Sequence, residues 1–140
     1  MTNLIDLDTL EDAKPMTQRI GVAFDDEGNP TVGFIIVSKD SFQYVQASHK
    51  MRSMAIRRQS NKGQKIDTKT EVGAETLDKL LQDNDLELAV AVTIDWFGFT
   101  KGGVPAPCTE AAIRNAYKLR PTWREKVSAA LEAEAGFLPT

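Results

Sequence analysis

Few side chains in this sequence are equipped for covalent or acid–base chemistry, and they do not gather. Cys108 is the only cysteine and His49 the only histidine. Cys108 stands directly ahead of Thr109, at the start of a predicted helix, where the positive end of the helix dipole can lower a thiol pKa and favour the thiolate. A nucleophile also needs a base, and the only histidine lies 59 positions upstream (108 minus 49). One Cys and one His cannot supply a zinc ligand set, and a lone Cys forms no disulfide within the chain. The triplet Asp25, Asp26 and Glu27 lacks the ligand spacing of a calcium loop and reads as an exposed turn. Gly21, Gly28 and Gly33 do not make a dinucleotide fingerprint, and no phosphate-cradling GxxxxGK[ST] occurs. The sequence therefore predicts no catalytic residue, no metal and no cofactor, and points to a protein that works by binding.

Composition supports one soluble domain. A chain of 140 residues, 41% hydrophobic and 26% charged, is too apolar to be disordered and is long enough for one core. A net charge of -3 gives no general pull toward nucleic acid or an anionic membrane. No apolar run approaches the roughly 20 residues that span a bilayer, so no membrane partner is expected. The start carries Asp6, Asp8, Glu11 and Asp12 where a signal peptide would be basic, so a cytoplasmic location is expected. Residues 1–15 read as a mobile acidic arm and 16–140 as a single domain.

The elements that would position a binding surface follow from periodicity and punctuation. "QRIGVAF" and "TVGFIIVS" flank the turn "DDEGNP", predicting a β-hairpin of Arg19–Phe24 with Thr31–Ser38. Asp40 or Ser41 caps a helix that carries Phe42, Val45, His49 and Ile56 near one face and stops at Asn61 to Gly63. From Glu71 to Phe97 two periods compete. Leu77, Leu81, Leu88, Val92 and Trp96 make a helical stripe, while "LELAVAVTIDW" alternates as a strand would. The absence of a strong turn favours one long helix, with a strand over Leu86–Phe97 as its rival. "GFTKGGVPAP" is a turn region; Thr109 caps the next helix, and Pro121 opens the last, with Thr122 and Glu125 as a capping box and Gly136 as its stop. The predicted fold is α+β and helix-dominated: an N-terminal β-hairpin followed by about four α-helices, packed around Trp96, Trp123 and the Leu77–Val92 stripe.

Charge order along the chain suggests self-association. Lys50, Arg52, Arg57, Arg58, Lys62, Lys65 and Lys69 face only Asp67, whereas Glu71, Glu75, Asp78, Asp83, Asp85 and Glu87 face only Lys79. The basic run has no interleaved aromatics for base stacking, so nucleic acid is not the favoured partner. Pairing of Arg52, Arg57, Arg58 and Lys62 with Glu75, Asp78 and Asp83 of a second copy would instead build a head-to-tail homo-oligomer.

The order of "SKDSFQYVQASHKMRSMAIRRQ", a Leu/Ala/Val-rich segment ending at "DWFGF", the turn "KGGVPAP", the helix "CTEAAIRNAYK" and the closing "RPTWREKVSAALEAEAGF" resembles the tail assembly chaperones of long-tailed bacteriophages. The resemblance implies no catalytic residues. It implies a protein of the host cytoplasm that coats the tape-measure protein, keeps its apolar helices soluble, recruits tail-tube protein and self-associates. An adaptable apolar surface would serve such a client, and Met51, Met54, Phe97 and Phe99 are its candidates. A head-tail connector or tail-completion subunit, or a nucleic-acid-binding accessory protein, would use a similar build.

Overall fold

A computed structural model describes residues 7, 16–61, 63, 66–133 and 136–139; the acidic arm expected over 1–15 lies outside the described residues apart from Leu7. The chain runs β1 (Met16–Phe24), β2 (Pro30–Val37), α1 (Phe42–Ser60), α2 (Glu71–Val92), β3 (Thr93–Phe97), β4 (Thr100–Lys101), β5 (Val104–Pro105), α3 (Glu110–Leu119), α4 (Pro121–Ala133) and β6 (Leu138–Pro139). This is the α+β plan expected, an N-terminal hairpin followed by four helices, with further strands completing its sheet.

Local chemistry sets most boundaries. Asp25 Oδ1 accepts the N–H groups of Glu27 and Asn29, each at 2.9 Å, and Gly28 takes a φ of 84°. The acidic triplet thus closes the β1–β2 turn. Ser41 Oγ caps α1 by accepting the Tyr44 N–H at 3.1 Å, and the Asn61 N–H returns to the carbonyls of Arg57 and Arg58. Thr70 and Thr109 cap α2 and α3 in the same way. The capping box expected at Thr122 is displaced: α4 begins at Pro121, whose fixed φ suits the first helical position, so Thr122 lies inside the first turn.

The conflict over Glu71–Phe97 resolves as neither pure reading. The helix stops at Val92, and the chain passes without a loop into β3, which pairs antiparallel with β2 through Phe34↔Trp96 and Ile35↔Asp95. A helix continued to Phe97 would have left one edge of β2 unpaired, and the run Val92, Thr93, Ile94 is β-branched. Thr93 marks the change. Its hydroxyl donates to the Ala89 carbonyl at 2.7 Å, so the Tyr117 hydroxyl, 2.6 Å away, must donate to it. Burial pushes the Tyr117 phenol well above its ordinary pKa, which keeps that proton in place.

The sheet order is β3-β2-β1-β6. Ile20, Phe34 and Ile36 on one side of it meet Val90 and Val92 of α2, Ile113 and Tyr117 of α3, and Val127 and Leu131 of α4. Phe34 is the centre of the ring cluster, with centroids of Tyr117, Phe99, Trp123 and Trp96 at 4.8, 5.3, 6.0 and 6.5 Å. Trp96 reaches this core from β3, not from a helical stripe. On the reverse side of the sheet, Phe97 lies over Gly33, where an added Cβ would meet the Ile20 carbonyl, and Arg19 stacks on the Phe97 ring at 4.1 Å. The α1–α2 pair has little share in the core in its distal half: no residue of α1 is buried, and α2 buries only Ala89, Val90 and Val92, all in its last turn.

Candidate functional site

The sequence face of Phe42, Val45, His49 and Ile56 is the outward side of α1. At 100° per residue these four fall within about 60° of one another. Phe42, Val45 and Ile56 are 75%, 52% and 65% exposed, and His49 is exposed between them. The seam with α2 is made by other residues: Ala47 and Met51 are half-buried and line, with Leu80 and Ala91, a groove of about 410 Å³ between the helices. A helix normally buries its most apolar stripe. Here small and flexible residues pack inward and the larger aliphatic and aromatic ones point out, leaving an apolar strip along a 19-residue helix.

The four client candidates do not form one surface. Met51 and Met54 line the α1–α2 groove together. Phe99 sits in the ring cluster, 4.6 Å from Trp96 and 5.8 Å from Trp123, and Phe97 is half-buried on the reverse side of the sheet beneath Arg19. Residues 97 and 99 flank Gly98, which has a φ of 82°, so the strand alternation expected of neighbours at i and i+2 is lost.

The candidate self-association residues separate by helix. Arg52 and Arg57 are exposed on α1; Arg58 is half-buried near its end, lining a hollow with Met54, Thr76 and Leu80. Lys62 lies outside the described residues. Glu75 and Asp78 are exposed on α2, among positions alternating with the half-buried Leu77 and Leu80 that face inward, while Asp83 lines the α1–α2 groove opposite Lys50. Basic charge thus lies on α1 and acidic charge on the neighbouring α2, with Asp83 close to Lys50 of the same chain; a head-to-tail contact would have to use the outward residues Arg52, Arg57, Glu75 and Asp78. Exposed pairs contribute only about 0–1 kcal/mol each and are screened by salt. Sedimentation velocity is expected to find reversible oligomers at low ionic strength that shrink toward monomer near about 0.5 M salt, where the Debye length is about 4 Å. An oligomer that grows with salt would assign assembly to apolar contacts instead.

A carboxylate pair fixes α3 against the end of the helical pair. Arg114 Nε and Nη2 donate to both oxygens of Glu87 at 3.0 and 2.9 Å, and Nη2 also to Glu110 at 2.9 Å. These bonds hold the Glu87 carboxyl below its usual pKa. Cys108 is half-buried; burial and the charge of Asp95 push its thiol up, opposite to the shift that activates a nucleophile. Among the described residues no cluster of His, Cys, Asp or Glu could hold a metal ion, and no helix is long and apolar enough to cross a membrane.

Sequence reasoning missed a second surface, an open cleft beside the ring cluster bordered by Trp96, Phe99, Leu119 and Trp123. The available signal was the double glycine of "KGGVPAP", which closes the β4–β5 hairpin at Gly102 and Gly103, both with positive φ, and raises one wall. Compared with known proteins, the chain matches no family model, no curated protein and no solved structure.

Proposed function

We propose that this protein is a non-enzymatic tail assembly chaperone of a long-tailed bacteriophage, acting in the host cytoplasm by holding apolar helices of the tape-measure protein along the outer face of α1 until tail-tube protein replaces it. The observation that carries this reading is the exposed strip of Phe42, Val45 and Ile56 on a helix that buries no residue of its own. Phe42 and Val45 form one exposed apolar contact and Ile56, eleven residues on from Val45, a second on the same face, and an amphipathic client helix could meet both at once. Basic residues along the same helix, Lys50, Arg52 and Arg57, give a polar border that suits an acidic rim on the client.

Co-expression is the direct test. The tape-measure protein of the same phage is expected in the soluble fraction only when this chain is present, and the chain is expected to be missing from purified mature particles. A tape-measure protein equally soluble without it would overturn the chaperone reading. Recovery of the chain from mature particles would identify a permanent virion component instead.

A further inference from the structure

The ring cluster is open on one side. Trp96, Phe99 and Trp123 border a cleft of about 700 Å³, walled by the β4–β5 hairpin on one side and by Ala112, Ala116 and Leu119 of α3 on the other. Its walls are fixed in advance. The Trp96 indole Nε1–H donates to the Ala106 carbonyl at 3.0 Å, and the Ala106 N–H donates to the Phe99 carbonyl at 2.9 Å. With the indole N–H already satisfied, what Trp96 offers a ligand is ring surface. Leu119, 69% exposed, carries the apolar surface out to the rim. A mostly apolar, preformed cleft of this size is the usual form of a binding site.

The charge at the cleft is of one sign. The chain holds 20 acids against 17 Lys and Arg, yet no residue lining the cleft is acidic and two are cations, Lys101 of β4 and Arg120 at the α3–α4 junction. Among the described residues neither takes part in an ion pair, whereas Arg114, Arg124 and Lys39 all do. The geometry points to a docking site for a segment of a partner protein in which a large apolar or aromatic residue is flanked on both sides by Asp or Glu. The apolar residue enters over the Trp96, Phe99 and Trp123 rings, and the carboxylates meet Lys101 and Arg120. Because the two cations come from different walls, they suit carboxylates on both sides of an anchor better than a single terminal carboxylate. A nucleotide phosphate lacks its usual seat here. Thr109 Oγ1 already takes the Ala112 N–H at 3.1 Å, which leaves one amide fewer for an anion at the start of α3. The cleft shares no lining residue with the outer face of α1, so this site stands or falls separately from the chaperone reading.

The test is titration of the full chain with a fluorescein-labelled, end-blocked hexapeptide EDFLDE at low salt, read by anisotropy and by side-chain resonances. Saturable binding with a Kd below about 1 mM is expected, with shifts confined to Trp96, Phe99, Leu119 and Trp123. The charge-reversed peptide KRFLKR is expected to bind at least about tenfold more weakly, and Lys101→Glu with Arg120→Glu to weaken EDFLDE by about tenfold. Leu119→Asp, at an exposed position where folding should survive, is expected to weaken it further. Equal affinity for the two peptides, shifts that map to α1, or no saturation at about 1 mM would overturn the proposal. So would displacement of the bound peptide by adenosine monophosphate at micromolar concentration, which would reassign the cleft to nucleotides.

Discussion

Phe34→Ala is expected to lower the unfolding free energy by about 3–5 kcal/mol, the upper range for truncating a buried aromatic. The ring is fully buried and lies within 6.5 Å of four other aromatic centroids, drawn from β3, the segment after it, α3 and α4. Removing it opens a void that those elements cannot jointly fill, because each is tied elsewhere: β3 by its ladder to β2, and α3 by the Tyr117–Thr93 hydrogen bond. A domain of this size is stable by about 5–15 kcal/mol, so the change removes a large share of the total. Urea unfolding followed by tryptophan fluorescence reads it directly, since Trp96 and Trp123 are the only tryptophans and both border Phe34. A loss under about 1 kcal/mol would show that the sheet and helices are held together by something other than this cluster.

The elements that local chemistry dictates were legible in the sequence. Asp25 to Pro30 forms its turn through bonds between neighbours, and Ser41, Thr70 and Thr109 cap helices with their own hydroxyls, so nothing distant is needed to place them. What the sequence could not place depended on partners far along the chain. Val92 to Phe97 has a helical stripe and a strand alternation of similar strength, and the choice falls to β2, whose free edge lies about 60 residues earlier and takes up the backbone groups of Thr93 to Phe97.

The direction of the α1 face was not legible for a related reason. Periodicity identified Phe42, Val45, His49 and Ile56 as one stripe but not which way it points. Beyond its first turn, where Tyr44 packs on the core, α1 lies mainly along α2, over a seam of Ala47, Met51, Leu80 and Ala91 that small and flexible residues fill, so its larger side chains are not needed inward. Beyond the double glycine that marks one wall, the aromatic cleft could not be assembled from the sequence, because its floor comes from β3 and α4 and its walls from the six-residue β4–β5 hairpin and α3. Each of its aromatic residues, taken alone, reads as core.

The outer strip of α1 yields the contrast to Phe34, a Phe whose loss should leave stability untouched and abolish function. Phe42→Asp with Ile56→Lys replaces two exposed apolar side chains and leaves the net charge unchanged. Phe42 is the first residue of α1 and Ile56 lies in its last two turns, so an acid and a base there agree with the helix dipole. Stability is therefore expected to stay within about 0.5 kcal/mol of the parent. Binding should respond differently. Burying a Phe or Ile side chain against a client contributes about 1.5–3 kcal/mol, so loss of both removes roughly 3–6 kcal/mol, or about two to four orders of magnitude in affinity. In the co-expression assay the double variant is expected to fold and accumulate normally while the tape-measure protein moves to the insoluble fraction. Arg52→Ser, at the border of the same strip, should change client affinity by no more than about tenfold, since an exposed charge contributes little. If the double variant keeps the client soluble with circular dichroism unchanged, the α1 face is not where the client is held, and the α1–α2 groove of Met51 and Met54 becomes the next surface to substitute.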